Sequence, residues 1–380
     1  MKMAFPIEIL GFSGNDAMIL LAAGTFTLLI FAAMIILVLR ESLPFLPYIA
    51  ADTIVSARAS FLIKGKRMED MIGRKSVPEF VNALQNTEYF EHIAQSKSIV
   101  ELHSGIEKAF MKSITEIEDM SPDKFKPVIQ AYISIYETKI IKAFYRSRMY
   151  RSLAELNDNM LFYVGEITPF LLQELKNSKT TSDVSAALSR TKYAPVFSKD
   201  FSTVNDFEAE IDSFVFSEFA RQVKKLKGGL TMPVLKILNS KFDIMNILLI
   251  LKFQSRKIPA EKRQGYLIKN NSPAYHIIEG AAQSSSPGEL YEFINHTAYA
   301  PAFLKALEMY KADGSYSHFE YQLLKYHYRW VEDLELFYPQ GPFTIIAYLS
   351  RKEAEMSNLL LLSKAMFFDI PEQNLREMIV

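Results

Sequence analysis

Ser286 to Tyr299, SPGELYEFINHTAY, is one of three copies of a single pattern, the others being SVPEFVNALQNTEY, Ser76 to Tyr89, and TTSDVSAALSRTKY, Thr180 to Tyr193. Each copy opens on a hydroxyl residue with an acid three positions later: Ser76 and Glu79, Thr180 and Asp183, Ser286 and Glu289. That is the sequence form of a helix capping box, in which two side chains satisfy backbone N–H groups left over at a helix start. Each copy closes on Thr-x-Tyr: Thr87 and Tyr89, Thr191 and Tyr193, Thr297 and Tyr299. The tyrosines are spaced by 104 and 106 residues (89 to 193, 193 to 299). A period that long predicts a small subdomain used three times, not a solenoid.

The ends of the copies agree as well. FDIMNILLILKFQSRKIPAEKRQGYLI closes the second and AEMSNLLLLSKAMFFDIPEQNLREMIV the third. Aligning Asn246 with Asn358 also aligns Asp243 with Glu355, Lys252 with Lys364, and Ile258-Pro259 with Ile370-Pro371. The first copy has a degenerate version, Glu137 to Arg146, with Ile140 in the asparagine's place. No stretch shows sustained strand alternation, so the body is predicted to be all-α, with helical units over 48–152, 153–268 and 269–380. Within them helices are expected around Ile106 to Ile117, Phe125 to Tyr150 and His318 to Leu336. Phe207, Ile211, Phe214, Val215 and Phe219 form one apolar stripe. Tyr48 to Met71 also reads as helical, with Ile54, Ala57, Phe61 and Ile63 as its apolar positions. Lys224, Lys225 and Lys227 before Gly228 read as a basic last turn with a glycine C′ residue, in preference to a phosphate site.

Residues 1–47 differ from the rest. Ala17 to Leu39, AMILLAAGTFTLLIFAAMIILVL, is 23 residues without a charge between Asp16 and Arg40, long enough to cross about 30 Å of hydrocarbon. A cleaved signal peptide and a buried core helix are the alternatives. The run is long for a signal segment and no small-x-small cleavage site follows closely, which favours a retained transmembrane helix over 17–39. Arg40, Arg58, Lys64, Lys66 and Arg67 follow the span and only Lys2 precedes it. The positive-inside bias then expects a single-pass protein of the cell membrane with its C-terminal body in the cytoplasm. Pro44 and Pro47 mark the exit.

Composition narrows the function. The 380 residues are 49% hydrophobic and 13% aromatic, which predicts an ordered, packed chain. Forty-three basic and 43 acidic residues cancel, so no long-range field gathers nucleic acid. Zero cysteines exclude disulfides and thiolate metal sites. Phosphate loops, dinucleotide fingerprints and nucleophile elbows are missing; Gly65-Lys66 and Gly11-Phe12-Ser13-Gly14 fall short of them. His92, His103, His276, His296, His318 and His327 form no His-Glu-x-x-His. The acid and amide of Asp243-x-x-Asn246 and Glu355-x-x-Asn358 share a helix face and read as hydrogen-bonding helix ends inside a subdomain, in preference to an ion or substrate site. Thr-x-Tyr reads as a packing motif. No catalytic, cofactor-binding or metal residue is assigned.

Tyr348 to Val380, YLSRKEAEMSNLLLLSKAMFFDIPEQNLREMIV, resembles the C-terminal signature of the C subunit of the A/V-type ATP synthases, the counterpart of the d subunit in eukaryotic V-type ATPases. That family is also similar in its three Thr-x-Tyr units and its Asp/Glu-x-x-Asn closing helix, a likeness running from about Tyr48 to Val380. The N-terminal span stands outside the family's usual pattern. The resemblance implies three helical lobes in a pseudo-threefold funnel. It also implies a non-catalytic central-stalk rotor subunit that couples the proteolipid ring to the axle subunits of D and F type. Membrane lipid would be met through residues 17–39, with no cofactor, nucleic acid or small-molecule substrate. If the body turns with the ring, the span belongs in the ring's lumen, where Ala22, Ala23, Gly24, Ala32 and Ala33 permit close packing. A membrane-anchored scaffold derived from the family but outside the rotary complex is the alternative.

Overall fold

The computed structural model describes residues 14–151, 163–226, 228–368 and 370–379. Lys2, Gly11 to Ser13, Lys227 and the 152/153 boundary lie outside them. Among the described residues the regular structure is nineteen α-helices and three short 3-10 turns. An isolated bridge between Val164 and Ile167 is the one strand-like feature among them. The protein is all-α. It separates into two units, Met1–Pro47 and Tyr48–Val380.

The first unit carries the helix Gly14–Ser42, whose 29 residues are about 43 Å long. Its apolar stretch, Met18–Arg40, is long enough to cross a membrane, and its side chains are exposed on all sides. The hydroxyls of Thr25 and Thr27 donate back to the carbonyls of Leu21 and Ala23, at 2.5 and 2.8 Å. The two hydroxyl side chains of the span therefore need no water.

In the second unit the three copies have the same helix order. A short capped helix (Val77–Ala83, Thr181–Leu188, Pro287–Ile294) ends before the Thr-x-Tyr turn. A middle helix follows (Ile99–Met120, Val204–Lys224, Ser317–Glu335). Then comes a long closing helix (Lys126–Met149, Thr231–Ser255, Pro342–Phe368). After the second and third closing helices Pro259 and Pro371 hold nearly the same extended backbone, ψ 138° and 136°, and each precedes a further short helix. The third copy adds length: Tyr299 is followed by the 14-residue helix Ala300–Asp313, ended by a left-handed Gly314, where the other two have single turns of four residues.

Several local expectations change. The full capping box forms in the second copy, between Thr180 and Asp183. In the third, Ser286 accepts from the Glu289 N–H, but Glu289 reaches one residue further back, to Ser285 N–H at 2.7 Å. In the first, the Ser76 hydroxyl donates to Glu79 and Glu79 accepts from Lys75 N–H. A further full box, Thr203 with Asp206, starts the second middle helix. Ser98 caps the first middle helix and accepts from Glu101 N–H at 3.2 Å, so that helix begins at Ile99, well before Ile106. Residues 48–71 are not one helix, because Ile49–Ala59 ends before Phe61. The buried positions are Tyr48, Ala51, Val55, Leu62, Ile63, Met68 and Met71, with Phe61 left exposed. Helix Val204–Lys224 does end on basic residues, but Gly228 opens a 3-10 turn instead of serving as C′. Of the apolar stripe, Phe207, Ile211, Val215 and Phe219 are buried and Phe214 half-buried against Tyr193.

Candidate functional site

The Thr-x-Tyr motif is a corner. Thr87, Thr191 and Thr297 each donate a hydroxyl to the carbonyl three residues back, Leu84, Leu188 and Ile294, at 2.7 Å in every copy. That bond ends the capped helix and turns the tyrosine inward. Tyr89, Tyr193 and Tyr299 are all buried.

Each tyrosine then meets the recurrent carboxylate, but of the preceding copy. Tyr193 donates to Glu137 and Tyr299 to Asp243 (2.9 Å), both across 56 residues of chain. Tyr89 has no copy before it and donates to Glu355, in the last closing helix, at 2.8 Å. The three joints thus close into a ring, with the C-terminal helix completing the N-terminal copy. The core agrees: Ile244, Ile247 and Leu251 of the second closing helix pack with Ile278, Leu290, Phe303 and Phe319 of the third copy. Asp243 and Glu355 are expected to hydrogen-bond helix ends inside a subdomain; instead each accepts from a buried tyrosine hydroxyl. They do it across the junction between copies, not inside one.

The joints satisfy their buried charge in three ways. Glu137 accepts from Glu166 N–H at 2.7 Å and pairs with the Lys192 ammonium at 2.7 Å. Glu355 accepts from Ile63 N–H at 2.5 Å and pairs with Lys352, which also holds Glu88. Asp243 meets neutral donors: Ser272 at 2.7 Å, Asn270 at 2.9 Å and Tyr299. Burial raises the Asp243 carboxyl, and these three hydrogen bonds only partly offset it. Asn246, beside it, accepts from Ile268 N–H and donates to Ile268 C=O, at 2.8 and 2.9 Å, splinting an extended segment to the helix. At the second joint Gly165 has a left-handed φ of +52°, and a Cβ there would collide with Glu137 Oε1. Gly165→Ala is expected to cost roughly 1–3 kcal/mol through strain and displacement of Glu137. An unchanged urea midpoint would show that the turn is not held by this contact.

The closing helices meet again at a polar cluster that sequence reasoning missed. Glu353 of the third accepts from Lys241 of the second (2.6 and 2.7 Å) and from the Tyr132 and Tyr136 hydroxyls of the first (2.9 and 2.7 Å). Burial pushes the Glu353 carboxyl up. The charge and hydrogen bond of Lys241, the Tyr136 hydroxyl and the charge of Lys139 outweigh that and bring it to about 2. Lys241 and Glu353 each lie two residues before the recurrent acid, Asp243 and Glu355. Opposite charges at equivalent repeat positions were the available signal, since equivalent positions meet where a threefold arrangement converges. Close by, the Lys139 side chain is exposed, yet desolvation still lowers its ammonium; Glu107, Glu353, Lys241 and Glu320 act on it as well.

Two imidazoles are held neutral. Burial, with Lys364 nearby, brings His103 to about 4 beside Ser363 Oγ; burial, with Lys241 nearby and Glu353 opposing, brings His327 to about 3 beside Ser240 Oγ. An unfolded histidine titrates near 6.5. The unfolded state therefore takes up protons first, and this part of the stability is present above pH 6.5 and lost as pH falls from there towards the folded values. Thermal midpoints are expected to drop between pH 7.5 and 5, and the drop to shrink in the His103→Asn/His327→Asn double variant. An equal drop in both proteins would remove the histidines as its cause.

Among the described residues no group of histidine, aspartate and glutamate is arranged to hold a metal ion. The geometry is that of a joint system. The sequence model of the ATP synthase (C/AC39) subunit family matches residues 51–378, almost the whole helical body. The chain belongs to that family. It is 22% identical to the A-type ATP synthase C subunit of Methanocaldococcus jannaschii, over 88% of this chain and 86% of the relative. The C subunit of Pyrococcus furiosus is 21% identical, over 88% of this chain and 90% of the relative. That of Methanothermobacter thermautotrophicus is 22% identical over 94% of each. A match of 94% is longer than Tyr48–Val380, so it includes part of residues 1–47; likeness to a relative does not stop at the helical body. Membership makes the chain a subunit of the ATP synthase kind, and a non-catalytic one.

Proposed function

We propose that the chain is the central-stalk rotor subunit of an A/V-type ATP synthase, seated between the proteolipid ring and the axle subunits of D and F type and passing torque between them. The observation that carries this reading is the way the three closing helices are locked. Each is jointed to the next copy through a buried tyrosine–carboxylate pair, and all three are pinned together at Glu353, Lys241, Tyr132 and Tyr136. A torque coupler must not yield along its chain, and a ring of joints has no free end at which to begin yielding. The face carrying Lys139 and Glu107 receives the axle. Residues 17–39 cross the cell membrane, with the body on the cytoplasmic side.

The test is a tagged pull-down of the full-length chain from gently solubilised membranes, followed by mass spectrometry. Recovery of the proteolipid, the axle and the A and B subunits is the expected result. Recovery of the chain alone, or with unrelated partners, from cells whose ATP synthase is intact would overturn the reading in favour of a membrane-anchored scaffold.

A further inference from the structure

The joint that closes the ring joins the two ends of the helical body, and a cavity of about 120 Å³ lies against it. Ile63 and Glu355, bonded to each other across that joint, line the cavity. Three cations from three separate elements line it too: Lys64 in the segment after helix Ile49–Ala59, Arg329 of the third middle helix and Arg351 of the third closing helix. Arg351 commits its fork to Glu335, at 2.6 and 3.1 Å, and its Nε–H is buried with no acceptor. Lys64 and Arg329 have no ion-pair or hydrogen-bond partner among the described residues. Two acids share the lining. Glu355 is already matched by Lys352, Tyr89 and the Ile63 N–H. Glu332 is exposed, one turn after the exposed Arg329. With Glu335 counted against Arg351 and Glu332 against Arg329, the charge of Lys64 is left over.

We infer that this cavity binds a tetrahedral oxyanion of the phosphate kind, which ties Lys64 of the first copy to Arg329 and Arg351 of the third and so staples the closing joint. A buried donor without an acceptor is costly, and the Arg351 Nε–H gains one from such an anion. The donors belong to three elements around the space, which suits an anion with acceptors in four directions. A planar carboxylate would suit the Arg351 fork, but Glu335 already fills it. The volume is the share of about four waters, room for the anion with water but not for a whole nucleotide. Lys64 follows Ile63 directly, so an anion held by its ammonium also steadies the Ile63 N–H on Glu355.

Hydrogen exchange of the full-length chain in detergent tests the site, with inorganic phosphate compared with chloride at equal ionic strength. Phosphate at ten times its dissociation constant is expected to slow exchange of the Ile63 amide and its neighbours in residues 61–66 by about tenfold, and to do so saturably. General salt effects of phosphate act on the whole body. The Lys64→Gln/Arg329→Gln double variant removes two exposed cations and breaks no pair, so the slowing in 61–66 is expected to vanish while the rest of the exchange map stays. Glycerol 3-phosphate separates the sources of the ligand: equal slowing assigns the site to a phosphate monoester such as a lipid headgroup, and none assigns it to free phosphate. No phosphate-dependent slowing in 61–66 of the unaltered chain, or equal slowing in the double variant, would overturn the inference.

Discussion

Glu353→Ala is expected to lower the stability of the body by about 3–5 kcal/mol, the usual scale for removing one partner of a buried ion pair. The Glu353 and Lys241 side chains are each only 13% exposed, so truncation leaves an ammonium with little water and two tyrosine hydroxyls, Tyr132 and Tyr136, without their acceptor. Lys241→Met combined with Glu353→Leu should cost much less than Glu353→Ala alone, because no charge is then stranded. A urea series on the single and double variants measures both values. A loss under 1 kcal/mol for Glu353→Ala would mean that water relaxes into the site and that the pin is not rigid. The pH profile adds a second check. The folded carboxyl is depressed to about 2 while an unfolded glutamate titrates near 4.3. Its contribution is therefore complete above about pH 4.3 and is lost as pH falls through the folded value. Glu353→Gln should flatten the acid limb in that window and leave the histidine-dependent limb above it unchanged.

Much of this arrangement can be read from the residues. The triple Ser/Thr-x-x-Asp/Glu and Thr-x-Tyr pattern locates three equivalent helices, and the Asn246–Asn358 alignment locates the closing helices and their buried acids. Pairing is another matter. A repeat with a near-constant period looks the same whether Tyr299 bonds the acid of its own copy or of the copy before, since both are one period apart. The choice is made by packing in three dimensions, where 56 residues of chain bring Asp243 back under Tyr299 and the first copy borrows Glu355. Periodicity also misplaced most of the apolar face of residues 48–71: of its four expected positions only Ile63 is buried. Leu62 and Ile63 lie beyond the helix Ile49–Ala59, where a helical period does not apply, and Ile63 N–H bonds Glu355. The helix Ala300–Asp313 was hidden because its counterparts are single turns, so the repeat gave no precedent for it.

The cyclic pairing has a consequence for folding. Residues 48–152, the first copy as the sequence delimits it, are expected not to fold alone, whereas residues 126–226 are expected to unfold cooperatively. The first fragment holds Tyr89 and Ile63 but not Glu355, and Ile99–Met120 and Ile49–Ala59 lack the helix Pro342–Phe368 that packs along both. Side chains of that helix such as Phe343, Ile346, Leu349, Leu359 and Leu362 are buried. At about 1.5–3 kcal/mol for each fully buried side chain, losing a few of them matches the 5–15 kcal/mol that keeps a typical domain folded. The second fragment contains a whole joint, Glu137 with Tyr193, Lys192 and Glu166, and its middle helix packs on the closing helix it carries. Circular dichroism melts should show a sigmoidal transition for 126–226 and a featureless slope for 48–152. Adding a peptide of residues 342–379 to 48–152 should restore a transition, and the same peptide with Glu355→Ala should restore less. A cooperative melt of 48–152 by itself would mean that the joint with Glu355 is made after the first copy has folded. The ring would then be closed by docking a finished unit instead of by completing an unfinished one.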